Sequence, residues 1–324
     1  MTKTIDKSTA GTSTAGRYLG RLTAGVGIGL VATVISLGLI YVSYALRRPA
    51  RTPETRSLFK GVDYQRTIAK SPRPISFHVV TVDLTEPGIR FLATPQGIAA
   101  DGKETTADTV PGFLEAHGLQ LAINANFFYP MHVNHPLDYA PHVGDGVNLV
   151  GIAISDGVQY SEVQAGWAAL CIISNQDIRI TAGDCPDKTQ QAIAGDIQFL
   201  KGGKLQAEAL SLIKDNDVNK FPRTAIALNA DNTKMWIVLV DGRQEGYSEG
   251  VTMAELGKFV ISLGADKAIN LDGGGSSALA ADINGKATLL NAPIQARVPM
   301  YLRPVANHLG LYAEPLESVQ SERP

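Results

Sequence analysis

The chain alternates between short apolar runs and polar breaks, and one run differs from the rest. Residues 22–46 carry no charge and are closed by Arg47 and Arg48. About 20 apolar residues span a bilayer, so this stretch predicts one transmembrane helix. It exceeds the about 7–15 residues of a signal-peptide core and no convincing cleavage site follows, which favours an uncleaved signal anchor. Residues 1–21 form a polar, weakly basic tail, 47–73 a Pro- and charge-rich linker, 74–315 a globular domain and 316–324 a tail. Basic residues flank the span on both sides, so charge bias alone does not place the domain outside. A large domain can translocate regardless, and the reading is a single-pass inner-membrane protein with residues 74–315 in the periplasm.

Within the domain the apolar runs are short. Ile75–Asp83 and Ile89–Ala93 read as strands joined at Glu86-Pro87-Gly88, and Leu119–Ala125 reads as a buried strand. Gly151–Ser155, Trp167–Ser174, Ile178–Thr181 and the start of Ala192–Lys204 are further strands. Arg223–Asn229 and Lys234–Val240 form a hairpin around Ala230-Asp231-Asn232; the second strand is apolar throughout and so buried on both faces. Helical spacing appears twice. Thr109–His117 is a short helix. Thr252–Leu263 has a capping box (Thr252, Glu255), an apolar face (Met253, Leu256, Phe259, Val260, Leu263) and a terminating Gly264. The fold class predicted is α/β: a mixed, strand-rich, twisted sheet with few helices, preceded by the membrane helix.

Ala268–Ala280 (AINLDGGGSSALA) carries the sharpest chemistry. A buried strand runs into Asp272, then Gly273, Gly274, Gly275, Ser276 and Ser277. Glycine loses more chain entropy on folding than any other residue. Three in a row make sense where the backbone turns at positive φ or something approaches it closely. Such a loop exposes N–H groups that can hold an anion; the bland alternative is a tight turn with Asp272 bonding its own backbone. The loop lacks the Gly-Lys-Ser/Thr ending of a P-loop.

Lys234–Val240 also ends in an aspartate, Asp241, and the Thr252–Leu263 helix leads from there to the Asp272 strand. A right-handed crossover would bring both carboxylates to one edge of the sheet. Two neighbouring carboxylates can divide the acid and base roles, as glycosidic cleavage requires. Arg223 and Arg243 are candidates for a phosphate, which a guanidinium holds bidentately. Asn124 and Asn126, at a strand end, either orient a polar ligand or bond the turn's backbone.

His132, His135 and His142 lie in the loop 131–148, but their spacing fits no metal motif and Pro136 breaks any helix that would align them. No metal or cofactor is implied. A net charge of −2 and 6% aromatic residues give no reason to expect nucleic acid. Cys171 and Cys185 are the only cysteines; in an exported domain they read as a disulfide, two separate thiols being the alternative.

Five segments in order, INANFF (123–128), AGDIQFLKGG (194–203), PRTAIAL (222–228), VDGRQEGYSEGVTMAEL (240–256) and NLDGGGSSAL (270–279), resemble the phosphodiester glycosidase family. The resemblance covers about residues 75–312. It implies hydrolysis of a sugar-1-phosphodiester, releasing the sugar and leaving a phosphomonoester, with an envelope or exopolysaccharide glycan as partner. Asn126, Arg223, Thr224, Asp241, Arg243, Ser248, Asp272, Gly273, Gly274, Gly275 and Ser276 fall at matching motif positions. Asp272, Asp241 and Arg223 are the catalytic candidates; Asn124, Asn126, Thr224, Arg243, Ser248, the three glycines and Ser276 are the substrate-binding ones. The three-histidine segment departs from the pattern and is expected to alter substrate choice. A metal-dependent phosphodiesterase using the histidine loop and a non-catalytic glycan-binding protein are the alternatives.

Overall fold

The structure is a computed structural model that describes residues 33, 35–207 and 220–316. The chain divides after Leu46 into two units. In the first, residues 35–45 are helical and Ile35, Leu37, Leu39, Ile40 and Val42 are exposed. Nearly half of the predicted membrane span, residues 22–32 and 34, lies outside the described residues. Among the described residues no helix is long and apolar enough to cross a membrane.

The second unit is strand-rich and its sheets are antiparallel. The largest has eight strands in the spatial order Glu54–Phe59, Val62–Ala69, Ile75–Asp83, Lys234–Val240, Arg223–Leu228, Lys267–Asn270, Ile197–Lys201 and Lys204–Leu205. Every pairing is antiparallel, where the sequence suggested a mixed sheet. The strands leading to Asp241 and Asp272 do run parallel to each other, but they are not neighbours. Arg223–Leu228 lies between them, antiparallel to both.

Where the sequence suggested a linker, the structure has the strands Glu54–Phe59 and Val62–Ala69. Val62, Tyr64 and Arg66 are buried while Asp63 and Gln65 are exposed. This is a true period of two, but the charges that decorate it read as polar linker. Arg66 is accommodated by an ion pair with Glu54 at 2.8 Å and a bond to the Thr52 carbonyl at 2.8 Å.

Alternation along the central strands separates two cores. On one face Val79, Ala225, Ala227, Trp236, Val238 and Val240 meet Met253, Leu256 and Val260 of the helix Met253–Ser262. That helix has the expected capping box between Thr252 and Glu255. On the other face Ile226, Ile237, Leu239, Ile269 and Leu271 form the main core with residues of two five-stranded sheets. One is ordered Ala287–Leu289, Leu279–Asp282, Leu121–Asn124, His308–Tyr312, Arg90–Ala93; the other Val158–Ser161, Ala153–Ser155, Gln191–Gly195, Ala168–Ser174, Asp177–Thr181. The helix Val110–His117 is capped by Thr109 and ends at Gly118, whose φ of 59° is the left-handed cap geometry. Cys171 and Cys185 form a disulfide.

The chain passes between sheets at two aspartates. Asp196 separates Gln191–Gly195, in a five-stranded sheet, from Ile197–Lys201, in the eight-stranded one. Asp272 follows Lys267–Asn270 in the eight-stranded sheet, and the chain then enters Leu279–Asp282 in the other five-stranded sheet. Ile197 pairs with Asn270, so the two crossing points are adjacent.

Candidate active site

The turn after Asp272 is anchored through its backbone. Leu271 N–H donates to Thr224 O at 2.9 Å, Asp272 N–H to Ala125 O at 3.0 Å and Gly274 N–H to Pro222 O at 2.9 Å. Residues 274–276 then form a single 3₁₀ turn. Each glycine has its own reason. A β-carbon at Gly273 would stand 2.8 Å from Pro222 O; Gly274 has φ +63° and lies under the Arg243 guanidinium; a β-carbon at Gly275 would stand 2.5 Å from Arg303 Nη2. The close approach that three glycines imply is made by two arginines.

Arg303 is held in place by two bonds. Its Nε donates to Gln295 Oε1 at 3.0 Å and its Nη1 to Ser276 Oγ at 3.2 Å. Gln295 belongs to a two-residue hairpin, Ile294–Gln295 with Val298–Pro299. Its turn residues Ala296 and Arg297 have φ of 49° and 64°, the left-handed pair of a type I′ turn. Arg243 also has positive φ, 56°. Its guanidinium lies 4.9 Å from the centre of the Phe221 ring, and that of Arg223 lies 5.5 Å from the same ring.

Two carboxylates face this group of arginines. Asp272 is nearly buried. Burial raises its pKa from the usual 3.8 to about 6, against the pull of the Ser276 hydroxyl and of Arg303. Asp196 is also pushed up by burial, while its bond from Asn270 Nδ2 (2.8 Å) and the charge of Arg223 act to lower it. The two carboxylates repel: Asp196 contributes to the rise at Asp272.

Asp241 stands differently. It is buried, and its Oδ2 meets His78 Nε2 at 2.9 Å. Its Oδ1 accepts from Asn291 Nδ2 at 3.1 Å and from Ala292 N–H at 2.9 Å. His78 Nδ1 in turn meets Tyr64 Oη at 2.8 Å. No hydrogen bond or ion pair joins Asp241 to Asp272 among the described residues. Their link runs through Asn291, which also donates to Ser277 O at 3.2 Å.

The remaining candidates separate in the same way. Arg223, Arg243, Asp272, Ser276 and the glycines gather at the turn after Asp272. Asn124, Asn126, Thr224 and Ser248 are buried scaffold. Asn124 donates to Asp272 O and accepts from Thr224 Oγ1 and Ala278 N–H. Asn126 donates to the carbonyls of Val150 and Ile152 and accepts from Ala194 N–H and Asn307 Nδ2. Ser248 Oγ joins Ser76 N–H to Asp241 O. Both asparagines thus hold the ends of neighbouring strands around the site.

Asp196, Arg303 and Gln295 were not singled out from the sequence. Asp196 lies within the quoted AGDIQFLKGG segment, and its isolation between apolar residues was a usable signal. The three loop histidines turn to separate partners: His132 to Asp138, His142 to Asp145, and His135 Nδ1 to the Leu137 N–H. Among the described residues no group of three His, Cys, Asp or Glu could hold a metal ion.

Comparison with known proteins bears on the family and the fold. Residues 117–312 match the model of the family described as phosphodiester glycosidase. An uncharacterized SPbeta prophage-derived protein of Bacillus subtilis, YomE, is 31% identical over 150 residues, covering 41% of this chain. The match spans 22% of that relative's length. Among solved structures, the catalytic domain of zebrafish N-acetylglucosamine-1-phosphodiester α-N-acetylglucosaminidase, auto-inhibited by its pro-peptide, superposes with a TM-score of 0.53 at 20% identity. That match covers 83% of this chain and 92% of the zebrafish one. A Burkholderia pseudomallei protein described as a putative exported protein gives a TM-score of 0.49 at 16% identity over 75% of each chain. With the family model spanning more than half its length, the chain belongs to the phosphodiester glycosidase family.

Proposed function

We propose that the domain hydrolyses a sugar-1-phosphodiester at the glycosidic bond. Water adds at the anomeric carbon, the bond from that carbon to the phosphate oxygen breaks, and the products are the free sugar and a phosphomonoester. The observation that carries this reading is the meeting of Asp272 and Asp196 with Arg223, Arg243 and Arg303 at the glycine turn. Three guanidinium groups suit a phosphodiester anion, which stays charged throughout and leaves with a second charge developing. A carboxyl with a pKa near 6 can hold or release a proton near neutral pH, as an acid or base at the anomeric centre must.

In this scheme Arg223, Arg243 and Arg303 hold the phosphate. Asp272 is the primary acid or base, and Asp196 is the second carboxylate. Asp241, read from the sequence as that second group, is assigned instead to positioning: it fixes Asn291 and, through it, the chain just after the glycine turn. The domain works outside the cytoplasm on an envelope or exopolysaccharide glycan, tethered by the apolar segment 22–46; the disulfide and that uncharged run support this placement. The test is a screen of sugar-1-phosphodiesters with products identified by mass spectrometry. Release of free sugar and phosphomonoester from at least one compound is the expected result; binding without turnover across the set would favour a glycan-binding role.

A further inference from the structure

The apolar side chains that the globular unit leaves exposed are unevenly distributed. Leu137 is 92% exposed, Ile98 72%, Val143 62%, Tyr129 55% and Met131 47%. Val158, Val163, Ile261 and Leu316 are the other exposed large apolar side chains among the described residues of this unit, so four of the nine fall within the 15 residues from 129 to 143. Leu137 sits at the tip of a hairpin, His132–His135 paired with Asp138–Ala140, that belongs to none of the large sheets. At its base Phe128–Tyr129 pairs with Gly146–Leu149, and Asp101 lies against Gly146. That contact brings the loop bearing Ile98 alongside.

The arm is fastened at the rim of the candidate site. Tyr301 Oη donates to Tyr139 Oη at 2.9 Å, and the two rings meet edge-on with centres 5.7 Å apart. Two residues further on is Arg303, and two residues of extended chain span at most about 7 Å. The same short segment therefore carries a cation over the glycine turn and grips an arm with Leu137 at its tip and Met131 and Val143 at its base.

Exposed apolar side chains gathered on one projecting arm point to an interaction surface. The occupant must explain both the anion site and the apolar arm beside it. A second copy of the chain or a neutral glycan would account for one feature and not the other. An amphiphile with a phosphate head and a hydrocarbon chain accounts for both. Tyr129 and the exposed His132, His135 and His142 interleave polar tips with the apolar groups, the mixture suited to a headgroup boundary. Resting on the proposed glycosidase reading, we infer that the second ester of the phosphate is an apolar chain. The substrate class is a glycosyl-1-phospholipid, with the 129–143 arm as the surface that receives its hydrocarbon.

The test titrates the full chain, held in amphipol, with methyl phosphate and with decyl phosphate below its micelle concentration. The expected result is at least ten-fold tighter binding of decyl phosphate, and a ratio near one for the Met131→Ser/Leu137→Ser double variant. Both side chains are exposed, and a melting curve of the variant checks its fold. Equal affinities in the wild type, binding of neither phosphate, or an unmoved ratio in the folded variant would overturn the inference. A variant that changes only the oligomeric state would also overturn it, and would assign the arm to a second copy. The two readings fail separately. A decyl preference without turnover of any glycosyl phosphodiester would remove the glycosidase reading alone. Equal kcat/KM for methyl and decyl diesters of one sugar would remove the apolar-chain inference alone.

Discussion

Arg303 and Gly275 occupy each other's space: the guanidinium Nη2 lies 2.5 Å from where a β-carbon of Gly275 would be. The glycine is there so that the cation can lie directly on the turn that follows Asp272. Gly275→Ala should therefore push Arg303 off Ser276 and Gln295. Overpacking of this kind costs typically about 1–3 kcal/mol. The expected result is a modest fall in Tm with a rise of at least ten-fold in KM for a phosphodiester. An unchanged KM in the folded variant would remove Arg303 from phosphate binding.

Asp272→Asn should lower turnover by about 10²–10⁴-fold, the usual loss of a positioned acid or base. Its effect on stability has a sign fixed by the raised pKa. Between about pH 4 and pH 6 the unfolded chain has released the Asp272 proton and the folded chain retains it. Folding then takes up a proton, and stability from this group falls as pH rises through that window. Above pH 6 the native state carries the buried charge, so Asp272→Asn should melt at the same or a higher temperature at pH 8. Denaturation at pH 4 and pH 8, wild type against variant, checks the sign.

The same pKa places a limb near pH 6 in the pH dependence of kcat/KM. A rate falling above that pH identifies Asp272 as the proton donor, and a rate falling below it as base or nucleophile. Disappearance of the limb in the residual activity of Asp272→Asn ties it to this residue. A limb that persists there belongs to another group.

Asp196→Asn and Asp241→Asn should part company. Asp196 faces the arginines, and its loss should reduce turnover with little change in Tm. Asp241 accepts bonds from Asn291 and Ala292 and meets His78 in the buried interior. A buried polar group left without its partner costs about 1–3 kcal/mol, and the Asn amide turns a donor toward a partner that donates, so Asp241→Asn should lower Tm far more than Asp196→Asn does. Thermal melts and turnover measured on the same preparations separate the two roles.

Reduction of the Cys171–Cys185 disulfide, or its Cys171→Ser/Cys185→Ser replacement, should lower Tm. Closing a loop of about 15 residues is worth roughly 3 kcal/mol in the chain-entropy model. Non-reducing peptide mapping of exported protein should show the linked pair; two freely alkylated thiols would contradict it.

Much of the frame was legible in the sequence because its signals are local. The Thr252–Glu255 capping box, the apolar run Lys234–Val240 and the Asp272 glycine turn each declare themselves within a few residues. The demand of three glycines for a close neighbour was also readable. The neighbour's identity was not: Arg303 comes from a distant segment whose sequence, YLRP, has no pattern to advertise it. Asp241 shows the converse. It ends a buried strand just as Asp272 nearly does, and the two look alike in sequence. What separates them is that His78 and the adjacent pair Asn291-Ala292, from two other parts of the chain, close around Asp241. The paired strands Glu54–Phe59 and Val62–Ala69 escaped notice because their charges outweigh their alternation.

Bond position is the most direct test of the central claim. A turned-over sugar-1-phosphodiester is hydrolysed in H₂¹⁸O, and the phosphomonoester product is weighed by mass spectrometry. Cleavage between the anomeric carbon and oxygen predicts a phosphomonoester free of label, with the water oxygen carried by the sugar. Incorporation of one ¹⁸O into the phosphomonoester would place the attack at phosphorus, and would contradict the glycosidase account in favour of a phosphodiesterase.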